Sequence, residues 1–382
     1  MSGFFRSRWV DPPEGVEELG PTALAPGFRA AGVACGIKDS GERDLGLLAC
    51  DAEHVDSAAL FTANAAAAAP VRVCRERADL GSLSAIAVNS GNANAATGNQ
   101  GVVDAVEMQE AAAEALDLEP VRVGVASTGV IGRPLPVELL RSGLAEAAGA
   151  LGGEAADFSE AIMTTDRGPK RCAMRAGGVT LSAQAKGAGM MEPGFATLLC
   201  FVQTDAEAAD ADARLRLAAE ASFGRVTVDG QLSTNDMVVL QATGAAGRPL
   251  PEGLLEAVLL QLAIDVVADG EGATRVARVR ADEAASDSEA ERVARAIANS
   301  QLVQTGIFGR DPNWGRIVQA AGMALAGEDV ALDGSSVDAE ELGTDSAELE
   351  LGIRLGRGAA SAHVYCSDLT YDYVKLNAEY TT

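Results

Sequence analysis

Lysine and histidine are scarce in this 382-residue chain, and both shortages limit the chemistry it can perform. Lysine supplies few of its 30 basic residues, so a lysine inside a motif stands out. The two histidines, His54 and His363, lie in an acidic stretch and in a predicted strand, where we expect structural roles. A Ser-His-Asp triad, a Cys-His pair and a histidine-ligated metal site are therefore disfavoured. An enzyme built from this chain is expected to use a base other than histidine.

Paired cysteines, a secretory leader and a membrane-spanning run are also lacking. The six cysteines form no CxxC pair, so no zinc or thioredoxin-type site is indicated. Residues 1–15 contain no apolar signal core, and the most apolar run, 254–268, is too short and too polar to span a bilayer. The net charge of −25 disfavours nucleic-acid and anionic-membrane partners. We expect a cytoplasmic protein with reduced thiols and no metal.

The hydrophobic pattern predicts a mixed α/β fold. Apolar residues make up 48% of the chain and charged residues 22%, as in ordinary globular proteins. Short β-type runs alternate with Ala-rich helical stretches, and residues 347–366 are predicted to form a hairpin around a Gly-Arg-Gly turn. No linker sets a domain boundary by composition. The predicted strands are 45–51, 83–89, 121–127, 196–205, 224–230 and 277–281, and the predicted helices are 102–116, 136–150, 207–221, 252–268 and 287–299. The last helix starts with a capping-box pattern, in which Ser286 is followed three residues later by Glu289.

Three polar loops follow predicted strands or precede them. NSGNANAATG (89–98) is either a phosphate loop or a loop whose Asn side chains satisfy backbone groups. STGVIG (127–132) is either an oxyanion-binding strand end or an ordinary turn, because glycine lets the backbone approach a ligand closely. MTTDRGPK (163–170), taken alone, is a polar turn. Each loop on its own leaves the function open.

The segment AKGAGMMEPGFATLLCF (185–201) is the most informative. Lys186 stands among small residues, Pro193-Gly194 predicts a turn, and Thr197 opens an apolar strand. This placement suits an N-terminal nucleophile, in which the threonine hydroxyl attacks the preceding carbonyl and the resulting ester is hydrolysed. The freed α-amine, with a reference pKa near 7.7–8.0, then acts as the base, so no histidine is needed. An ordinary strand threonine after a turn is the commoner explanation of such a pattern.

Together these blocks resemble the ornithine acetyltransferase, or ArgJ, family of arginine biosynthesis. The loops above, with VDGQLSTNDM (228–237), DGEGAT (269–274), GRDPNWGRI (309–317) and NAEYTT (377–382), run in the family's order over most of the chain. The resemblance implies an α/β fold similar to DmpA-type N-terminal nucleophile hydrolases. It also implies self-cleavage between Ala196 and Thr197 into intertwined chains, 1–196 (α) and 197–382 (β), commonly assembled as α2β2.

The same resemblance implies the site residues. Thr197 matches the nucleophile, and Thr128 with Gly129 matches the oxyanion hole. The positions that match substrate-binding residues are Thr165, Lys186, Thr197, Glu271, Asn377 and Thr382. By charge complementarity, Lys186 is expected to pair with the substrate α-carboxylate and Glu271 with the ornithine ammonium.

The chain departs from the family pattern at a few positions. Gly194 and Phe195 stand where the family usually has Asn and Met before the scissile bond, which leaves the cleavage rate open. Arg167 and Gly168 replace the more usual residues at the predicted substrate rim. Structural support is the preferred interpretation of five further residues in two of the blocks: Asn92, Asn94, Asn313, Trp314 and Arg316.

The implied activity is acetyl transfer from N2-acetyl-L-ornithine to L-glutamate through an acetyl-Thr197 ester. No cofactor is expected, although acetyl-CoA is a candidate second donor. Three alternatives stay open: an N-terminal nucleophile aminopeptidase or amidase, a secondary-metabolism paralogue, and a non-catalytic binding protein with the same fold.

Overall fold

The computed structural model describes residues 3–192 and 198–379 and has a mixed α/β architecture. The strands are β1 (Glu17–Glu18), β2 (Phe28–Val33), β3 (Leu45–Cys50), β4 (Asp56–Phe61), β5 (Ala85–Asn92), β6 (Val123–Val130), β7 (Lys170–Ala176), β8 (Val179–Lys186), β9 (Leu199–Thr204), β10 (Val226–Thr227), β11 (Met237–Ala242), β12 (Val276–Ala284), β13 (Val337–Asp338), β14 (Glu348–Arg354) and β15 (Ala360–Ser367). The helices are α1 (Ala69–Arg77), α2 (Gly98–Leu116), α3 (Val137–Gly149), α4 (Ala156–Ala161), α5 (Ala211–Ala221), α6 (Leu254–Ala268), α7 (Asp287–Ala298), α8 (Gln301–Gly309), α9 (Gly315–Ala324) and α10 (Tyr371–Glu379). The predicted fold class, α/β, is confirmed.

Two sheets pack face to face and are covered by helices on their outer faces. The six-stranded sheet has the order β1-β7-β8-β9-β11-β4, and the four-stranded sheet has the order β2-β3-β5-β6. In β9, Leu199 and Phe201 face the core shared with the four-stranded sheet, whereas Cys200 and Val202 face the core under α5 and α6. Burial on both faces explains why this strand is a continuous apolar run.

Helix α6 belongs to one of these cores. Twelve of its 15 residues are buried, so its apolar character on all sides follows from its central position. Within residues 3–192 and 198–379, no helix combines the length and apolarity that crossing a bilayer would require.

A five-stranded sheet, ordered β10-β15-β12-β14-β13, forms a further unit with α7, α8 and α9. The start of α7 predicted from the capping-box pattern is confirmed, because the Ser286 hydroxyl accepts from Glu289 N–H at 3.2 Å. The Glu289 carboxylate accepts from Ala285 N–H at 2.7 Å, one residue before the N-cap. The predicted hairpin is wrong. Strands β14 and β15 both form, but β12 lies between them, pairing parallel with β14 and antiparallel with β15. The Gly-Arg-Gly turn crosses the end of β12, where the N–H groups of Arg357 and Gly358 donate to the Glu283 carbonyl.

Both predicted chains contribute to the six-stranded sheet. Strands β1, β4, β7 and β8 precede residue 196, whereas β9 and β11 follow it. β8 and β9 are antiparallel neighbours, and Lys186 is the register partner of Leu199. Residues on either side of the predicted cleavage position are therefore held together by sheet hydrogen bonds as well as by the chain.

Candidate active site

Thr128 and Gly129 lie where β6 ends against a bulge of β5. Gly129 has φ +129°, and a Cβ there would lie 2.4 Å from the carbonyl carbon of Gly91. The pairing register shifts between Gly91 and Asn92 at the same point. Only glycine fits this close backbone approach, which lies next to the buried Thr128.

Lys186 is the last residue of β8, and its side chain reaches the end of β6 at Thr128. Its side chain is 2% exposed, and its ammonium donates to Thr128 Oγ1 at 3.1 Å and to Thr164 Oγ1 at 2.8 Å. Burial lowers the pKa of Lys186, and the nearby Asp166 carboxylate opposes that effect. The small residues flanking Lys186 in the sequence allow the chain to pack closely around the ammonium.

The 163–170 loop is organised by Asp166. Its carboxylate accepts from Lys170 Nζ at 2.7 Å, from Gly187 N–H at 2.7 Å and from Thr164 N–H at 3.0 Å. Although burial opposes ionisation, the Lys186 and Lys170 ammonium groups hold the pKa of Asp166 well below its usual range. Lys170 also pairs with Asp269 at 2.5 Å. The loop thus joins α4 to β7, and its Asp166 links the start of β7 to the end of β8 through hydrogen bonds with Lys170 and Gly187, in addition to forming the predicted polar turn.

Glu271 lies in the loop after α6 and approaches the segment that follows Lys186. Its N–H donates to the Ala188 carbonyl at 2.8 Å, and its carboxylate accepts from Asn377 Nδ2 at 2.7 Å. A Cβ on Gly189 would lie 2.9 Å from the Glu271 carboxylate carbon. The glycine therefore gives the carboxylate room beside the chain that leads to the predicted nucleophile.

One cavity of about 190 Å³ brings these groups together. It is lined by six residues predicted from the sequence, Thr128, Gly129, Thr165, Lys186, Glu271 and Asn377. Three predicted positions, Ala196, Thr197 and Thr382, lie outside the described residues, as do Gly194 and Phe195. Most of the side chains that line the cavity are polar, and they include both charge signs, which suits a small zwitterionic ligand.

Further lining residues were missed by sequence reasoning, among them Asp229, Gln231 and Tyr373. Asp229 accepts from the N–H groups of Met190 and Met191 at 2.7 and 2.8 Å, and burial raises its pKa. Burial, with the carboxylates of Asp229 and Glu271, raises the pKa of Tyr373 to about 12. Asp229 lies within the VDGQLSTNDM block, but nothing in that block shows that the carboxylate binds a segment 38 residues earlier.

The residues interpreted as structural have structural contacts. Asn92 Nδ2 donates to the Pro134 carbonyl at 2.9 Å, and Asn94 Nδ2 donates to the Gly101 carbonyl at 2.8 Å. The Asn side chains of the 89–98 loop thus satisfy backbone groups, as one of the two interpretations predicted. Arg316 pairs with Asp311 at 2.9 Å, and Trp314 does not line the cavity. Among the described residues, no group of three or more His, Cys, Asp or Glu side chains is arranged to hold a metal ion.

The fold and cavity define a class of α/β protein with a charged site for a small molecule, built from both halves of the chain. Comparison with known proteins identifies the family. The ArgJ family model matches residues 29–382, so the chain belongs to the ArgJ family, as predicted.

Curated relatives match over nearly their whole length. The arginine biosynthesis bifunctional protein ArgJ of Symbiobacterium thermophilum is 45% identical, covering 95% of this chain and 98% of the relative. The protein of the same name from Geobacter sulfurreducens is also 45% identical, covering 93% and 99%. A solved structure titled as ornithine acetyltransferase complexed with ornithine, from Mycobacterium tuberculosis, is 36% identical with a TM-score of 0.45, covering 48% of this chain and 100% of that one.

Proposed function

We propose that this protein transfers acetyl from N2-acetyl-L-ornithine to L-glutamate through an ester on Thr197. Its membership in the ArgJ family confirms the predicted enzyme class, an acyltransferase of arginine biosynthesis. The observation that carries the finer proposal is the single cavity lined by six of the predicted residues, from both sides of residue 196. Leu199, two residues after Thr197, pairs with Lys186 of that cavity.

In the first half-reaction the Thr197 hydroxyl attacks the acetamide carbonyl and its own α-amine takes the proton. The Thr128 hydroxyl and the Gly129 N–H donate to the tetrahedral oxyanion, and each donor of this kind contributes about 2.7–4 kcal/mol. The C–N bond breaks, the proton passes to the departing amine, and ornithine leaves an acetyl ester on Thr197. In the second half-reaction the glutamate amine attacks the ester, which restores the hydroxyl and gives N-acetyl-L-glutamate.

The charged lining residues supply recognition in this proposal. Lys186 provides positive charge for the substrate α-carboxylate, and Glu271, oriented by Asn377, receives the ornithine side-chain ammonium. Thr165 lines the same cavity. Thr382 completes the set of substrate-binding residues that we propose.

Acetyl-CoA is a second candidate donor, because the curated relatives carry the name bifunctional protein. The same acetyl-Thr197 ester would form, with release of the CoA thiol. No cofactor is proposed beyond this donor. We further propose that the two chains of the cleaved precursor associate as an α2β2 assembly in the cytoplasm.

The test follows acetyl from labelled N2-acetylornithine with and without glutamate. The proposal expects ornithine and acetylglutamate in equal amounts, with little free acetate. Acetate as the main product would instead support the amidase alternative. Replacing the donor with acetyl-CoA and measuring released thiol decides the second donor, and native mass spectrometry decides the assembly.

A further inference from the structure

We propose that Asp166 is a positioning residue: its carboxylate keeps Lys186 in the ammonium form, and the ammonium fixes the Thr128 hydroxyl as a donor toward the cavity. This inference rests on the proposed function only in giving Thr128 an oxyanion to stabilise. The contacts on which it depends lie wholly within the described residues.

The direction of the Thr128 hydrogen bond follows from the charge of Lys186. An ammonium has three donors and no acceptor. Because Lys186 Nζ lies 3.1 Å from Thr128 Oγ1, that oxygen must accept, and the hydroxyl proton is left to point elsewhere. A neutral amine would offer a lone pair to the same proton and would withdraw the donor from the cavity.

Because Lys186 is buried, its ammonium form requires a compensating negative charge nearby. Burial lowers its pKa, and Asp166 lies 4.0 Å away, the nearest carboxylate to Nζ in the described part of the chain. An opposite charge at this distance favours the ammonium. The other charged groups that act on Lys186 come from four separate segments: Lys38 and Lys170, which oppose its charge, and Asp236 and Glu271, which favour it.

Asp166 is held as a carboxylate in one orientation. Its Oδ1 accepts from Lys170 Nζ and Gly187 N–H, and its Oδ2 accepts from Thr164 N–H on the side that faces Lys186. The two ammonium groups outweigh burial and keep its pKa well below the usual range. The carboxylate therefore remains ionised across the pH range in which the enzyme would work. Lys170 contacts one carboxylate oxygen, Oδ1, and the other, Oδ2, faces Lys186.

The first experiment compares pH profiles of ornithine release for D166N and K170M. In D166N the defect is expected to grow with pH, at least about tenfold larger near pH 9 than near pH 6.5, because Lys186 loses its proton more easily. K170M removes a like charge, so its alkaline limb is expected at higher pH than in wild type. A D166N defect that is the same at every pH would indicate a purely structural role and overturn the proposal. Alkaline limbs that move in the same direction in both variants would also overturn it.

The second experiment does not measure enzyme activity, so its variants do not have to be active. With so few lysines in the chain, 13Cε-lysine labelling gives a simple NMR spectrum, in which K186M identifies the Lys186 signal. The proposal expects Lys186 to be an ammonium in wild type near pH 7.5 and to deprotonate at lower pH in D166N. A neutral Lys186 in wild type near pH 7.5 would contradict it. If wild type never transfers acetyl, the proposed function fails, and this titration still decides the charge of Lys186.

Discussion

Alanine at Gly129 should remove the oxyanion site while leaving the rest of the cavity chemically intact. The added Cβ would lie 2.4 Å from the Gly91 carbonyl carbon, 2.7 Å from Asn92 N and 2.8 Å from Gly91 Cα. All three are backbone atoms of the β5 bulge, so no side-chain rotation can relieve the clash. The strand end itself must move, and the backbone N–H at position 129 moves with it.

G129A is expected to lose both stability and acetylation rate, for two separate reasons. A non-glycine residue at φ +129° carries about 1–3 kcal/mol of backbone strain, which lowers stability. Displacing the N–H from the oxyanion costs about 10²–10³ in the acetylation rate. G129A should therefore release ornithine from N2-acetylornithine at least about 100-fold more slowly in a single turnover.

Gly132 offers the matched control. It follows Gly129 by three residues, has φ +85°, and has no atom within 4 Å of an added Cβ. G132A thus carries comparable backbone strain without the collision, and it should retain most of the acetylation rate. Electrophoresis of each variant reports whether the chain has cleaved, so that a processing defect is separated from a catalytic one. A G129A enzyme that is cleaved and acetylates at a rate similar to G132A would refute the oxyanion assignment.

Three further predictions concern recognition, acid stability and thiols. E271Q should raise KM for N2-acetylornithine about 10-fold or more, because a charged hydrogen bond contributes about 1.5–3 kcal/mol. N377A should raise KM by less. An unchanged KM in E271Q would contradict the assignment of Glu271 to the ornithine ammonium. Burial and the neighbouring arginines lower the pKa of His363 to about 4, so its neutral form stabilises the fold and that contribution is lost as pH falls from about 6.5 to about 4. Thermal unfolding should show H363Q losing less stability than wild type over that interval, and equal losses would count against burial as the cause. Burial raises the pKa of all six free thiols. The thiols of the native protein should therefore react slowly with a disulfide reagent near pH 8, and all six should react once the protein is unfolded. Rapid labelling of the native protein would contradict this.

Local features of the fold were predictable because local sequence determines them. The apolar run at 196–205 predicted a strand, and β9 forms at Leu199–Thr204. The capping box at Ser286 predicted the start of α7. Strand pairing was not predictable in the same way: residues 347–366 show two strands and a turn, but nothing in their pattern reveals that β12 lies between them.

The cavity residues likewise differ in how far the sequence could predict them. The scarcity of lysine drew attention to Lys186, and the Ser-Thr-Gly strand end drew attention to Gly129, where the close approach to β5 requires glycine. Asp166 and Asp229 were harder to assign because their roles depend on backbone N–H groups that are distant in sequence, at Gly187 and Met190. An acidic residue in a polar loop has the same appearance whether it faces solvent or orders another segment.

Denaturing intact mass spectrometry, before and after incubation with N2-acetylornithine, tests the central claim most directly. The expected result is two fragments that meet between Ala196 and Thr197, with about 42 Da added to the C-terminal fragment by the donor. Leu198, whose N–H donates to Asp236 Oδ1 at 3.1 Å, would be the second residue of that fragment. A single uncleaved chain that never gains acetyl would contradict the proposed nucleophile and favour the non-catalytic alternative.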